Sequence, residues 1–463
     1  MSVIRAISRE ARDAALIKPI VAVKSGRSAA GTRVASSHSA ALANRDVAVD
    51  ALFAQAGVIR TDTLEALFEV VAVLSTQPLP MGPRVGVVSN AGGPAVLFAD
   101  ACDAQGLTLP ELQPATIAGL RARLKINSII ANPADMTASA NSSDFEYAMA
   151  IVGNDPNVDS VVAMYVPPIA QQPSEAAAAI ARGAAQIPPH KPVLAVFQSL
   201  GNLRAELSSG ARGTIPTYAF PENPAIALGA AWRYAHWRHR PRGNVHALSR
   251  FTRDTIRAVV DGVLSRAGGT RSLSREEIAT ILRAAGIAVA QPEDSAATPD
   301  LPADLYEPSS GISMFVGVTM DPTFGPLIAS GFAGPITELM GQAEGSGAEE
   351  PRPAGAGRSP EPSRRVRSLR RALEDDVAFR LHPVTDVDAG EMVASLRSSR
   401  LLDGHHDTPP ADRAALVALL MRVSALVEVI PEMVDLELHP VSVQPPGEGA
   451  IVLDARLQLE ALR

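Results

Sequence analysis

Apolar positions along this chain follow two rhythms. Short runs rich in β-branched residues, "KPIVAVK" (18–24), "VGVVS" (85–89), "DSVVAMYVPP" (159–168) and "KPVLAVFQS" (191–199), are bounded by proline, glycine or charge and read as buried strands. Between them the spacing turns helical. "ANRDVAVDALFAQAGVI" places Val47, Val49, Leu52 and Phe53 at helical spacing, with Gly57 as its stop. "TDTLEALFEVVAVLS" opens on Thr61 or Asp62 as N-cap and predicts a second helix. After "VGVVS" the turn "NAGGP" leads into a helix carrying Val96, Leu97, Ala101 and Cys102. "TIPTYAFPENPAIALGAAWRYAHWRH" predicts a strand and a long helix. Strands alternating with helices over 84–240 predict a parallel sheet covered on both faces.

The pattern changes after residue 240. Residues 241–271 predict a connecting helix, and "SLSREEIATILRAAGIAVAQPED" (272–294) starts a new unit with a helix capped by Ser272 or Ser274, then a strand. Residues 341–365 are Gly, Pro, Glu and Ser with almost nothing apolar; such a composition buries too little surface to offset ordering entropy, so disorder is expected there. Order resumes at "DDVAFRLHPVTD" (375–386). The last strands are "MVDLELHPVSVQ" (433–444) and "GAIVLDARLQL" (449–459), a hairpin if they pair through "PPGEG". A chain of 463 residues exceeds what one core supports. The expected divisions are 1–80, 81–240, 241–271 and 272–463.

Composition narrows the function classes. A net charge of -7 and 4% aromatic residues exclude a basic or base-stacking surface, so nucleic acid is not an expected partner. Cys102 is the only cysteine, which rules out an intrachain disulfide and fits a reducing cytoplasm. No apolar run approaches the ~20 residues that span a bilayer. "MSVIRAISREARDAALIKPI" carries charges through its middle, so it reads as an amphipathic helix entering a strand and not as a signal peptide.

Three stretches carry chemistry. "VVSNAGGPAVLFADA" is a strand, a glycine-rich turn and a helix start, which aims free N–H groups and a positive dipole end at an anion such as phosphate; an ordinary tight βα turn has the same spacing. In "SSHSAALANRD" (36–46), His38 stands among small residues between a strand and a helix, and a neutral imidazole is a competent nucleophile toward phosphoryl groups. A lone loop histidine is more often bland. In "DLELHPVSVQPPGEGAIVLDAR", Glu437 and His439 lie two apart and share one strand face. With Asp454 they offer ligands for a divalent cation if the hairpin closes; a solvent-facing strand side looks alike.

The order of these stretches resembles the NDP-forming acyl-CoA synthetases, typified by ADP-forming acetate–CoA ligase and related to succinyl-CoA synthetase. The resemblance rests on "KPIVAVKSGRSAAGTRVASSHSAAL", "RVGVVSNAGGPAVLFADA", "NPADMT", "GIAVAQPED", "VGVTMDPTFGPLIASGFAG", "DDVAFRLHPV", "LELHPV" and "VLDAR". It implies an α/β protein with flavodoxin-like, succinyl-CoA synthetase-like parallel-sheet domains followed by a shortened ATP-grasp-like α+β domain. By the same resemblance His38 is a phosphohistidine that carries a phosphoryl group between an acyl phosphate and ADP while coenzyme A takes the acyl group. Ser89, Asn90, Ala91, Gly92 and Gly93 form one of two helix N-termini that cradle it. Glu437 matches an acidic residue at the nucleotide side, Asp454 a metal ligand, and Gly331 and Gly334 a glycine-rich nucleotide loop. His439 stands where the family has a metal-binding asparagine.

Implied ligands are Mg2+, ATP or ADP, and coenzyme A with its acyl thioester. Compared with the family, the sequence starts after a Rossmann-type CoA-binding domain and the first half of the histidine domain. Its ATP-grasp part is short between residues 299 and 311, where a nucleotide-binding lysine is expected. A separate CoA-binding subunit or a homo-oligomer is therefore the expected partner, with activity arising only when the missing domains are supplied in trans. The alternatives are an inactive scaffold that binds acyl-CoA or nucleotide, and a protein-interaction module.

Overall fold

The computed structural model describes residues 3–24, 46–125, 127–167, 173–198, 207, 213–266, 270–290, 311–332, 376–404 and 409–461. Contacts divide the chain into two compact units. The parallel-sheet unit comprises residues 9–43 and 56–240, and the mixed-sheet unit residues 1–8, 44–55 and 241–463. Each is described by itself.

The first part of the chain forms α1 (Val3–Ile17), β1 (Ile20–Val23), α2 (Asp46–Ala56), β2 (Val58–Thr61) and α3 (Leu64–Thr76). It continues with β3 (Val85–Ser89), α4 (Gly92–Ala104), α5 (Pro114–Arg123), β4 (Ala134–Asp135), α6 (Ser142–Gly153), β5 (Ser160–Tyr165), α7 (Pro173–Ala184), β6 (Val193–Phe197), β7 (Thr217–Tyr218) and α8 (Glu222–His239). β1 and β2 pair in parallel, as do all neighbours of the five-stranded sheet β4-β3-β5-β6-β7. Counted within that sheet the order is 2-1-3-4-5, the flavodoxin-like doubly wound arrangement. The sheet is covered on both faces, as the near-continuous apolar strands predict. Phe145, Met149 and Ile180 pack on one side; Phe98, Cys102 and Leu228 pack on the other, together with Ile59, Val70 and Val73.

Two local expectations change. α3 is capped by Thr63, whose hydroxyl accepts from Ala66 N–H, and not by Thr61 or Asp62. Thr61 instead completes β2 and sends its hydroxyl to the Ala22 carbonyl. α4 buries Ala95, Phe98 and Cys102, whereas Val96 and Leu97 are exposed. Both stripes have helical period, and the one carrying Ala95, Phe98 and Cys102 joins the core against the sheet.

The mixed-sheet unit contains α9 (Arg250–Leu264), β8 (Arg271–Ser272), α10 (Arg275–Ala284), β9 (Ala288–Val289), β10 (Ile312–Asp321), β11 (Gly325–Phe332) and β12 (Val377–Leu381). These are followed by α11 (Asp386–Ser395), α12 (Arg413–Val429), β13 (Met433–Val443), β14 (Ala450–Val452) and β15 (Ala455–Leu459). Ser274 caps α10 reciprocally with Glu277. The eight-stranded sheet runs β12-β11-β10-β13-β14-β9, with β15 pairing both β13 and β8. Met314, Val316, Val318, Leu436 and Leu438 point to one face and join the core formed with α9 to α12.

The expected last strand is two strands. β14 pairs with residues 441–443 of β13 and β15 with residues 433–438, leaving a gap at His439 and Pro440. Proline offers no N–H to the ladder, so the partner breaks where Pro440 stands. The opposite face of this sheet receives α2. Ala48 and Ala51 are buried against Leu327 of β11 and Leu381 of β12. Among the described residues no helix is long and apolar enough to cross a membrane.

Candidate functional site

In an open doubly wound sheet, ligands bind beyond the carboxyl ends of the strands where the strand order reverses. Here that point lies between β3 and β5, and the turn Ser89–Gly93 leaves β3 there. Ser89 is fully buried; its hydroxyl donates to the Ala91 carbonyl at 2.7 Å and accepts from Ala91 N–H at 3.0 Å. Asn90 is 2% exposed and pins the turn to the end of β5: its Nδ2 donates to the Val166 carbonyl, and Val166 N–H donates to its Oδ1, each at 2.8 Å. Both side chains thus serve to fix the shape of the turn.

What remains open is the backbone at the start of α4. The Gly92 and Gly93 N–H groups meet no acceptor among the described residues. The next residue, Pro94, has no N–H to add. A Cβ at Gly93 would meet nothing within 4 Å. These two donors sit at the positive end of the helix and suit an anion.

A carboxylate shares this corner, and sequence reasoning gave it no role. Asp135, at the end of β4, accepts from Thr137 N–H at 2.8 Å through Oδ1, while its Oδ2 lies 3.2 Å from where a Cβ of Gly92 would stand. Thr137 sits at φ 63, a conformation β-branched residues rarely adopt. The "NPADMT" stretch was the available signal, since it follows a proline turn and ends at the same sheet edge as the glycine turn. His38 and Gly334 lie outside the described residues, as does the stretch 341–365.

On the mixed sheet, Glu437 is exposed in β13, directly opposite Gly317 of β10 and Arg456 of β15. Because Gly317 has no side chain, one flank of the carboxylate is open. Gly331 has a different use. A Cβ there would come 2.7 Å from the Phe315 ring and 2.6 Å from the Asp376 carbonyl, so the missing side chain lets Phe315 lie across the strand.

The hairpin does bring His439 and Asp454 together: His439 N–H donates to the Asp454 carbonyl at 3.0 Å. The Asp454 carboxylate, however, faces Arg275 at 3.3 Å, a partner not foreseen from sequence. Among the described residues no group of three or more His, Cys, Asp or Glu side chains could hold a metal ion. Magnesium needs several oxygen ligands in near-octahedral array. One carboxylate already paired with a guanidinium and one imidazole do not fit it.

Comparison with known proteins places these features in a family. Residues 2–74 match the succinyl-CoA ligase like flavodoxin domain, residues 85–241 the ligase-CoA domain, and residues 371–459 an ATP-grasp domain. The 4-hydroxybutyrate–CoA ligase (ADP-forming) of Nitrosopumilus maritimus is 26% identical over 511 residues, covering 96% of this chain and 67% of that protein. The alpha subunit of acetate–CoA ligase (ADP-forming) II of Pyrococcus furiosus is 39% identical over 217 residues, 46% of this chain and 47% of the subunit.

A solved structure, the dinucleotide-forming acetyl-coenzyme A synthetase 1 of Ca. Korarchaeum cryptofilum with phosphate and ADP, has a TM-score of 0.47 and 26% identity. It covers 51% of this chain and 52% of that one. The chain thus spans about two thirds of the first relative and about half of the other two. With the flavodoxin-like strand order, the turn at its switch point and three successive domain matches, the chain belongs to the NDP-forming acyl-CoA synthetase family.

Proposed function

We propose that this chain carries the phosphoryl-transfer half of an ADP-forming acyl-CoA synthetase, with His38 as the carrier and a CoA-binding domain contributed by another polypeptide. The observation that carries the reading is the succession of matches to three domains of one enzyme family, with His38 inside the first. Separate subunits have a precedent in the acetate–CoA ligase alpha subunit, which is a polypeptide of its own.

In the ATP-forming direction, phosphate displaces CoA from the thioester to give an acyl phosphate. A lone pair of the His38 imidazole attacks the phosphorus, the bond to the acyl oxygen breaks, and the carboxylate leaves with the electron pair. A terminal oxygen of ADP then takes the phosphoryl group, the N–P bond breaks, and the ring returns to its neutral state. Such transfer depends chiefly on positioning and on neutralising phosphoryl charge. The Gly92 and Gly93 N–H groups would serve that purpose on the acyl side and Glu437 would orient the ring on the nucleotide side.

The ion pair between Asp454 and Arg275 favours the second reading, a scaffold that binds acyl-CoA or nucleotide without turnover. Incubating the purified chain with [γ-32P]ATP and magnesium, then mapping acid-labile phosphate, separates the two. Label on the wild type that disappears in His38→Ala supports phosphoryl carriage. A folded chain that takes no label, alone or with an added CoA-binding subunit, refutes it. Thermal stabilisation by a CoA thioester or ADP in that unlabelled chain would identify the scaffold.

A further inference from the structure

The face of the mixed sheet turned away from α9 to α12 is divided. α2 covers its β11–β12 side, where Val47 and Leu52 join one apolar cluster with Phe379 and Leu381. Across the sheet the register runs from Phe379 to Ala329, Gly317, Glu437 and Arg456, one residue per strand, so all five share that face. At the β13–β15 end the row is open, and Glu437 and Arg456 are both exposed. Directly opposed residues bring their Cβ atoms to about 5 Å. No ion pair joins the two side chains, however, and neither has a hydrogen-bond partner among the described residues. Gly317, on the other flank of Glu437, leaves a notch in the row: a Cβ there would meet only the Leu436 carbonyl, at 3.4 Å.

The charges on this face are uneven. Asp435, two residues before Glu437, adds a second carboxylate to the same side. Among the described residues, strands β8 to β15 carry three arginines and no lysine: Arg271, Arg380 and Arg456. Arg271 pairs with Leu459 and Arg380 with Ile328, both core residues, so these two arginines point to the helix-covered side. Arg456 is therefore the one strand cation on the open face. A guanidinium offers five N–H donors in a fork that fits two phosphate oxygens, and Arg456 spends none of them within the described residues. Phosphoryl transfer needs its charge neutralised, which two carboxylates cannot do and this guanidinium can.

We propose that Arg456 binds the phosphate chain of a nucleoside diphosphate on this open face, beside Glu437, with the notch over Gly317 making room for the ligand. The inference deepens the phosphoryl-transfer reading by naming the side chain that meets the nucleotide, and it rests on that reading for the ligand's identity. Its geometry belongs to β10, β13 and β15 alone.

The test is ADP binding to the full chain by titration calorimetry, with EDTA and again with magnesium. Arg456→Ala should weaken ADP binding about tenfold or more, as the loss of a hydrogen-bonded charge contact does. Arg456→Lys, which keeps the charge and loses the fork, should recover part of that loss. Both variants should melt within about 1 °C of wild type, because the exposed side chain holds nothing in the fold. Gly317→Val, which fills the notch with a residue suited to a strand, should also weaken ADP binding. Equal ADP affinity in wild type and Arg456→Ala overturns the assignment and leaves the nucleotide reading standing. If the folded wild type binds no ADP under either condition, the nucleotide reading falls and the assignment falls with it.

Discussion

Asn90→Ala tests whether the glycine turn is held by the clamp to β5. The side chain is buried and both its amide groups are spent on Val166, so the substitution removes two hydrogen bonds at 2.8 Å and leaves a backbone N–H and a carbonyl unpaired. Each such loss costs roughly 1–3 kcal/mol when the orphan is fully buried. Val166 is half-buried, so water recovers part of it, and the expected total is about 2–3 kcal/mol. For a unit of this size that lowers the melting temperature by roughly 5–10 °C. The chain has two units and need not melt in one step, so the probe must be local. Both tryptophans, Trp232 and Trp237, lie in α8 of the parallel-sheet unit, and their fluorescence follows that unit alone. A tryptophan-detected melt within about 1 °C of wild type would refute the clamp.

Gly57→Ala should destabilise the same unit by roughly 2–4 kcal/mol, because Gly57 has φ 72 and a Cβ there would lie 2.4 Å from the Trp237 ring. A lowered melt with shifted tryptophan emission is expected, and an unchanged spectrum would count against the contact. In the mixed-sheet unit the Asp412 carboxylate accepts from Ala415 and Gly447 N–H, each at 2.9 Å, and these bonds hold its pKa below the usual 3.8. A depressed carboxylate contributes stability above its unfolded pKa and loses it as pH falls through the lower folded value. Urea midpoints should therefore fall less steeply below about pH 4 in Asp412→Asn than in wild type, and equal slopes would refute the assignment.

The parallel sheet was readable because each strand is a short apolar run closed by a turn signal, and such runs leave little choice of partner or face. The hairpin through "PPGEG" was readable for the same reason. Its break was less so: Pro440 interrupts the ladder of a strand whose partner lies ten or more residues further on. Periodicity also failed to choose between the two stripes of α4, since only the packed sheet distinguishes Ala95 and Phe98 from Val96 and Leu97. The site followed this division. The Ser89–Gly93 turn is local and showed in sequence. The inward use of Ser89 and Asn90, the carboxylate of Asp135 and the Arg275 partner of Asp454 all depend on residues brought from elsewhere.

α2 shows the limit most clearly, and it bears on how the chain would work. By sequence it continues from the histidine segment toward β2, and nothing in "DVAVDALFAQA" names Leu381, 326 residues away from Gln55. The structure ends β1 in the parallel-sheet unit and anchors α2 in the mixed-sheet unit, so the segment bearing His38 is covalently joined to both. The two arms are unequal. From Val23, the last residue of β1, His38 is fifteen residues away, a reach of about 54 Å; from Asp46 it is eight, about 29 Å. The chain between His38 and α2 is therefore the shorter of the two arms, and a helix that by sequence follows the histidine segment takes its packing partners from strands more than 270 residues further on.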